Sequence, residues 1–286
     1  MLATAALLAG SPPTALASAA TSKSQAVTRS TPLARGSEYL ALGDSVTFGF
    51  QEAAVTPAPD YLRQASFLGY PEQIGAELHL NVTNLACPGE TSASLINASA
   101  PSLGCENAYR RNYPLHVHYS GSQLAYAVAF LRTHPQVKLV SLMIGANDLF
   151  RCQGMTADHC QSKAEQQAVL GKISANVRHI LSAVREQGHY NGQLAIVNYY
   201  SLNYASALVN GQSKELNQAM DSGARPFHAV IADGYAQFKA ASFRFSSQPC
   251  LAGLLTQLGS YGNCGVHPSY AGQALLAQAV VKAIRL

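Results

Sequence analysis

Apolar residues recur along the chain with two different spacings, and the two spacings predict strands and helices in alternation. Short runs that are apolar or that alternate apolar and polar residues predict strands over residues 37–43, 80–86, 136–145 and 193–200. Apolar residues at every third or fourth position predict helices over residues 71–80, 121–133, 161–187, 213–240 and 269–285, the fourth interrupted near Gly223 and Pro226.

Strands that alternate with helices and are apolar on both faces predict an α/β fold with a parallel sheet covered on both sides. No repeat, linker or change of composition follows residue 37, so we expect one domain over residues 37–286. Ligands of such sheets bind beyond the carboxyl ends of the strands. Polar turns follow three of the predicted strands, after Leu42, Ala86 and Ile144.

The N-terminal segment has the pattern of a secretory signal peptide. Residues 1–20 join an apolar stretch to the small residues Ala17-Ser18-Ala19, although no basic residue precedes the stretch and a disordered tail is the alternative. The apolar run is too short to span a bilayer. We therefore expect a secreted protein without stable membrane insertion, with residues 21–36 as a flexible segment.

Charge is sparse along the chain. Charged residues make up 12% of the sequence and the net charge is +4. No run of Lys and Arg is dense enough to follow a phosphate backbone, so nucleic acid is not expected as a partner.

Six cysteines fall into three groups of two neighbours, and six thiols allow 15 connectivities. An even number behind a signal-like segment indicates an oxidising compartment, and no C-x-x-C spacing suggests zinc or a redox pair. We expect no metal and favour disulfides between neighbours: Cys87 with Cys105, Cys152 with Cys160, and Cys250 with Cys264.

The turn "GDSVTFG" at residues 43–49 does not fit the common glycine-rich motifs. A phosphate loop needs a different glycine spacing followed by Lys, a dinucleotide fingerprint needs glycine where Asp44 and Ser45 stand, and a G-x-S-x-G elbow needs glycine at Thr47. Ser45 is then either a helix cap or a nucleophile.

A serine nucleophile needs a base, and histidine is the usual one near neutral pH. Among the nine histidines, His267 lies in a predicted polar turn before the last helix, where it could reach the end of the first strand. Surface or packing roles are expected for the others: His79, His116, His118, His134, His159, His179, His189 and His228.

Four segments together resemble the sequence blocks of the SGNH or GDSL hydrolases. They are "ALGDSVTFG", "NLACPGET", "IGANDL" and "VHPS", in the family's order and spread over nearly the whole chain after residue 38. The resemblance implies a flavodoxin-like three-layer α/β/α sandwich and ester hydrolysis without a cofactor. With its paired cysteines and signal-like start, the chain is most similar to the secreted bacterial esterases and lipases of that family.

Carried over to this sequence, the resemblance makes Ser45 the nucleophile and His267 the general base. The oxyanion hole would be formed by the backbone N–H groups of Ser45 and Gly89 and by the side-chain amide of Asn147. Fixed neutral donors of this kind stabilise the oxyanion of a tetrahedral intermediate.

One position departs from the family pattern. The family usually has an aspartate three residues before the histidine, and that position here is Cys264. We expect the main-chain carbonyl of Cys264, fixed by a disulfide to Cys250, to orient His267. Activity should then fall as His267 becomes protonated, and reduction of the disulfide should lower turnover.

The loops between the blocks, at about 50–70, 97–120 and 199–212, should determine the substrate. They and their borders hold tyrosines that could line a pocket: Tyr61, Tyr70, Tyr109, Tyr113, Tyr119, Tyr199, Tyr200 and Tyr204. No long amphipathic lid is evident, which favours short or medium acyl esters, with phospholipid and acetylated polysaccharide left open. The alternatives are a carbohydrate O-deacetylase, an acyltransferase and an inactive secreted binding protein. A monomer acting on a small-molecule or lipid ester is expected.

Overall fold

The computed structural model describes residues 32–286. The predicted signal peptide at residues 1–20 and most of the predicted flexible segment, residues 21–31, lie outside the described residues.

In the described part of the chain, five parallel strands form the central sheet in the order β2-β1-β3-β4-β5, which is the flavodoxin-like order. Their bounds are Glu38–Gly43 for β1, Asn81–Asn84 for β2, Val137–Met143 for β3, Gln193–Val197 for β4 and Val230–Ala232 for β5. A separate antiparallel hairpin consists of β6, Leu255–Gln257, and β7, Cys264–Pro268. The predicted flavodoxin-like α/β fold is confirmed.

Within residues 32–286, ten α-helices connect and cover the strands. Their bounds are Ser45–Phe48 for α1, Tyr70–Leu78 for α2, Ser92–Ile96 for α3, Arg110–Asn112 for α4, Gln123–Thr133 for α5, Ala146–Met155 for α6, Lys163–Ser182 for α7, Ala207–Ala224 for α8, Gly234–Ser242 for α9 and Tyr270–Ala283 for α10. Short 3₁₀ turns cover Gln64–Ser66 and Arg225–Phe227, and π-helical turns cover Cys105–Tyr109 and Ala183–Gln187.

Two groups of helices cover the sheet. Helix α10 packs against α2 and α9, and α7 packs against α3, α6 and α8. Strand β4 is buried along its whole length and β1 is buried after its first residue. Burial on both faces explains why these strands are nearly all apolar. The core also holds Tyr39, whose hydroxyl lies 2.7 Å from Ser141 Oγ and is thereby satisfied.

The predicted helix over 213–240 is wrong in its middle. Helix α8 already begins at Ala207, and after Pro226 the chain forms strand β5 before α9 begins. Proline cannot continue the helix, and the Asp233 side chain caps α9 by accepting from the Ala236 N–H at 2.8 Å. A strand of three residues is too short to produce a recognisable pattern.

The predicted polar turn that carries His267 is instead strand β7. Its sequence, "CGVHP", contains glycine and proline, which are depleted in strands, and it pairs with a partner of only three residues. Cys264 lies opposite Gln257 in this hairpin. His267 is therefore presented by a strand rather than by a loop.

Three disulfides join the cysteines as predicted, Cys87 with Cys105, Cys152 with Cys160, and Cys250 with Cys264. The first closes the loop that contains Gly89, and the third closes the β6–β7 hairpin that contains His267. Among residues 32–286, none of the helices is both long and apolar enough to cross a membrane.

Candidate active site

The site lies at the carboxyl edge of the sheet, where β1 has β2 on one side and β3 on the other. The chain changes direction across the sheet at this point, which is where ligands bind in open α/β folds. The turn after β1 carries Ser45, the turn after β2 carries Gly89, and the turn after β3 leads into Asn147 at the start of α6. Strand β7 brings His267 to the same edge.

Ser45 is the first residue of the short helix α1. Asp44 caps that helix, since its carboxylate accepts from the Val46 N–H at 3.0 Å. Gly43 has a φ of 155°, and an added Cβ would lie 2.5 Å from the Met143 carbonyl oxygen. This turn therefore needs glycine, because β1 and β3 are too close for a side chain there.

Ser45 and His267 meet as the sequence predicts. The distance from His267 Nε2 to Ser45 Oγ is 2.9 Å, and Ser45 is 9% exposed. The ring of Phe50 covers the imidazole, with centroids 4.8 Å apart. This is the geometry in which an imidazole can take the proton of a serine hydroxyl.

The expectation that the Cys264 carbonyl orients His267 is wrong. His267 Nδ1 lies 2.8 Å from Glu52 Oε1. Cys264 and His267 belong to the same extended strand, in which three residues span about 10 Å, so the Cys264 carbonyl cannot reach the imidazole. The partner comes instead from the loop that follows α1.

Three hydrogen-bonding groups hold the Glu52 carboxylate in place. The Thr256 hydroxyl donates to Oε2 at 2.5 Å, the Val266 N–H donates to Oε1 at 3.1 Å, and His267 contacts Oε1. Burial by itself raises the pKa of Glu52, but the hydrogen bond and charge of His267 together with the Thr256 hydrogen bond lower this pKa to about 2. Glu52 is therefore ionised at neutral pH.

Sequence reasoning missed Glu52 because no fixed spacing connects it to His267, 215 residues further along the chain. The available signal was its place in a loop at the carboxyl edge of the sheet, seven residues after Ser45. That signal does not separate Glu52 from other acids in the same loops, such as Asp60 and Glu90.

The turn that holds Gly89 also requires glycine. Gly89 has a φ of 83°, and an added Cβ would lie 2.5 Å from the Leu103 carbonyl oxygen. The Leu103 N–H donates to the Gly89 carbonyl at 2.7 Å, which joins the two ends of the loop closed by the Cys87–Cys105 disulfide.

Asn147 is buried, and its Nδ2 donates to the Glu90 carbonyl at 2.8 Å. This bond fixes the amide next to the Gly89 turn. Asn147, Gly89 and Ser45 all line the same cavity as His267. The structure thus brings all four residues identified from the sequence to one place.

A buried polar network supports these turns. Gln123 accepts from the Gly43 N–H at 2.7 Å and donates to the Gly43 carbonyl at 3.0 Å, and it also donates to Glu90 at 3.2 Å. Ser94 donates a further hydrogen bond to Glu90. Burial raises the pKa of Glu90 to about 8, although the Ser94 hydrogen bond opposes the rise. The turns after β1 and β2 are thereby joined beneath the site.

Asp44 and Asp148 have structural partners of their own. Asp44 accepts from the Tyr199 hydroxyl at 2.5 Å, and burial raises its pKa to about 6 although this bond opposes the rise. Asp148 accepts from the Ser92 N–H at 2.8 Å and from its hydroxyl at 2.7 Å, which joins α3 to α6. Neither carboxylate bonds to His267 in the described residues.

A cavity of about 430 Å³ opens above Ser45 and His267. Apolar and aromatic side chains form most of its wall. They include Val46, Phe50, Pro88, Leu103, Tyr109, Tyr113, Leu149, Phe150, Tyr199, Tyr200, Leu202, Val209, Leu216 and Val266. Within residues 32–286, no Lys or Arg side chain lines this cavity.

Half of the tyrosines proposed from the sequence line this cavity, and Tyr61, Tyr70, Tyr119 and Tyr204 do not.

Among the described residues, one group of possible metal ligands stands close together, Cys87, Glu90 and Cys105. Its two sulfurs are joined in a disulfide and have no thiolate to offer a metal.

The sequence matches a known family over most of its length. Residues 41–275 match the model of the GDSL-like lipase/acylhydrolase family. The chain belongs to this family and is a carboxylic ester hydrolase. No curated protein sequence matches it significantly.

Solved structures share the fold at low sequence identity. An acetylxylan esterase, Axe2, from Geobacillus stearothermophilus is 19% identical with a TM-score of 0.53, over 88% of this chain and 95% of that one. Phospholipase A1 from Streptomyces albidoflavus NA297 is 19% identical with a TM-score of 0.54, over 87% of this chain and 99% of that one. These similarities establish the α/β fold.

Proposed function

We propose that this protein is a secreted serine esterase that hydrolyses esters of apolar acyl groups through an acyl-enzyme on Ser45. The observation that carries the proposal is the 2.9 Å contact between Ser45 Oγ and His267 Nε2 at the floor of an apolar cavity. A hydroxyl beside a base, with an enclosed space above it, is what acyl transfer requires.

In the proposed reaction, Ser45 Oγ attacks the ester carbonyl carbon while His267 Nε2 takes the hydroxyl proton. The oxyanion that forms accepts hydrogen bonds from the N–H groups of Ser45 and Gly89 and from Asn147 Nδ2. The intermediate collapses, the C–O bond to the alcohol breaks, and His267 gives its proton to the departing oxygen. Water then attacks the acyl-enzyme with His267 again acting as base, which releases the acid and restores Ser45.

The lining of the cavity supports an apolar acyl group. Alkyl chains bind through burial of apolar surface, whereas sugars need several well-placed polar groups. The side chains that could supply such groups away from the catalytic residues are a minority of the lining, namely Gln153, Gln212, Ser213 and the hydroxyls of Tyr109 and Tyr113. The hydroxyls of Tyr199 and Tyr200 already donate to Asp44 and to the Val266 carbonyl. An acyl ester of short or medium chain therefore fits this lining better than an acetylated carbohydrate.

A panel of substrates tests the proposal. Hydrolysis of p-nitrophenyl esters with acyl chains from acetyl to palmitoyl should reach its highest kcat/KM at a chain longer than acetyl, and acetylated xylan and phospholipid should be poorer substrates. A fluorophosphonate probe should label the wild-type protein and leave Ser45→Ala unlabelled. Equal hydrolysis by Ser45→Ala, or a clear preference for acetylated xylan, would contradict the proposal.

We also propose that residues 1–20 are removed on export and that residues 37–286 act as one monomeric domain. Three disulfides are consistent with an oxidising compartment. N-terminal sequencing of protein recovered from the culture medium tests the first point, and gel filtration at several concentrations tests the second. A start at Met1, or a mass that doubles, would contradict the respective point.

A further inference from the structure

We propose that Glu52 is the positioning carboxylate of this reaction, so that the loop after α1 supplies the acid that the family usually places three residues before the histidine. The inference rests on the proposed function, because it assigns a role within the same site. It concerns a residue outside all four sequence blocks that resemble the family.

The first argument is that one histidine ring joins Glu52 to the nucleophile. Glu52 Oε1 lies 2.8 Å from His267 Nδ1, and Ser45 Oγ lies 2.9 Å from Nε2 of the same ring. A carboxylate that accepts from Nδ1 fixes the tautomer in which Nε2 is free to take the serine proton. The same negative charge stabilises the imidazolium that forms when the proton moves.

The second argument is that the surroundings hold the carboxylate in this one position. The Thr256 hydroxyl and the Val266 N–H each donate to one of its two oxygens. Gly265 has no side chain and so leaves room for the carboxylate. The loop is also fixed at its base, since the Tyr61 hydroxyl donates to the Gln51 carbonyl at 2.7 Å. A carboxylate held in one position by these groups can in turn fix the orientation of the His267 ring.

The third argument is that the other acid facing His267 is already engaged. Asp44 attracts the imidazole electrostatically, but its oxygens accept from the Val46 N–H and the Tyr199 hydroxyl. Burial raises the pKa of Glu52, but the hydrogen bond and charge of His267 and the hydrogen bond of Thr256 outweigh burial and lower this pKa to about 2. Glu52 therefore keeps its charge at the pH of catalysis. Glu52 is thus the carboxylate in place to bind Nδ1.

A purely structural role is the alternative, because Glu52 also joins the loop after α1 to the β6–β7 hairpin. Glu52→Gln separates the two roles. Glutamine keeps the length of the side chain and an oxygen that can accept from Nδ1 and from the Val266 N–H, but it has no charge. A structural role is largely preserved in this variant, whereas stabilisation of the imidazolium is lost.

The experiment measures kcat and KM of wild type, Glu52→Gln, Glu52→Ala and Asp60→Asn against pH, together with Tm. Asp60 is an exposed acid of the same loop and serves as the matched control. We expect Glu52→Gln to stay folded with a lower Tm, because the ionised carboxylate stabilises the folded state, and to keep its KM. It should lose about 10²–10⁴-fold in kcat and show an acidic limb of kcat/KM moved to lower pH. Asp60→Asn should behave as wild type. Formate should partly restore Glu52→Ala, since the vacated carboxylate position is partly exposed.

Three results would overturn the inference: a folded Glu52→Gln with the kcat of wild type, an unmoved pH profile, or an equal loss in Asp60→Asn. If Glu52→Ala fails to fold, Glu52→Gln alone decides. Ser45→Ala separates this outcome from failure of the proposed function. An active Ser45→Ala refutes the esterase mechanism itself, whereas an inactive Ser45→Ala with a fully active Glu52→Gln refutes only the role of Glu52.

Discussion

Gly265 precedes His267 by two residues, and its replacement by alanine should disable the site indirectly. A Cβ at this position would lie 1.9 Å from Glu52 Oε1. An ordinary carbon–oxygen contact needs about 3.3 Å, so the carboxylate must retreat by about 1.4 Å. The 2.8 Å bond to His267 Nδ1 would then lengthen to about 4 Å, which is beyond hydrogen-bond reach.

The expected result for Gly265→Ala is a fall in kcat of about 10²–10⁴-fold with little change in KM, because the loss of the Nδ1 partner affects the transition state. The carboxylate is the flexible end of a side chain, so the fold should persist with a cost of about 1–2 kcal/mol. The assay is kcat and KM on a p-nitrophenyl ester, with Tm measured by calorimetry.

Gly171→Ala is the matched control, since Gly171 lies in helix α7 with no atom within 4 Å of an added Cβ. It should retain full activity and be slightly stabilised. The double variant Glu52→Ala/Gly265→Ala then shows whether the effect passes through Glu52. Our reasoning is refuted if Gly265→Ala is fully active, or if it lowers kcat as much in the Glu52→Ala background as in the wild type.

Three further predictions concern the supporting groups. Asn147→Ala should lower kcat by about 10²–10³-fold in steady-state assays with a smaller change in KM, and an unchanged kcat would remove Asn147 from the oxyanion hole. The Tm of Glu90→Gln should rise relative to that of the wild type between about pH 4.5 and about pH 8, and no further. The pKa of Glu90 is raised by burial, so ionisation of Glu90 destabilises the folded wild type over this window. A difference in Tm that does not change with pH would contradict this. In Cys250→Ser/Cys264→Ser, the free energy of unfolding measured in urea should fall by about 2–4 kcal/mol, and turnover should fall in part. Full turnover at unchanged stability would show that the hairpin does not need the disulfide.

Much of the site could be predicted because its residues follow strands that are easy to recognise. Ser45, Gly89 and Asn147 come directly after apolar runs, and parallel strands end at the same edge of a sheet. His267 could be placed because it precedes a clear terminal helix, α10. These residues do meet at one cavity, although their catalytic roles stay predictions.

The partner of His267 could not be predicted in the same way. The expectation of a Cys264 carbonyl assumed a turn, but pairing with β6 makes the segment an extended strand. That pairing depends on contacts between two short strands, and neither has a periodic apolar pattern. Glu52 then reaches His267 through tertiary packing alone, which local sequence does not encode. The same limit hid strand β5, whose three residues lie at the edge of the sheet.

The β6–β7 hairpin makes the site depend on one tertiary contact between distant parts of the sequence. Ser45 and Glu52 lie seven positions apart on one segment, and His267 reaches both through its two ring nitrogens only when the hairpin is docked. A displacement of the hairpin would break the Ser45 contact to Nε2 and the Glu52 contact to Nδ1 in the same movement. The contacts of Ser45, His267 and Glu52 are therefore made or broken as one unit, by the position of a single hairpin.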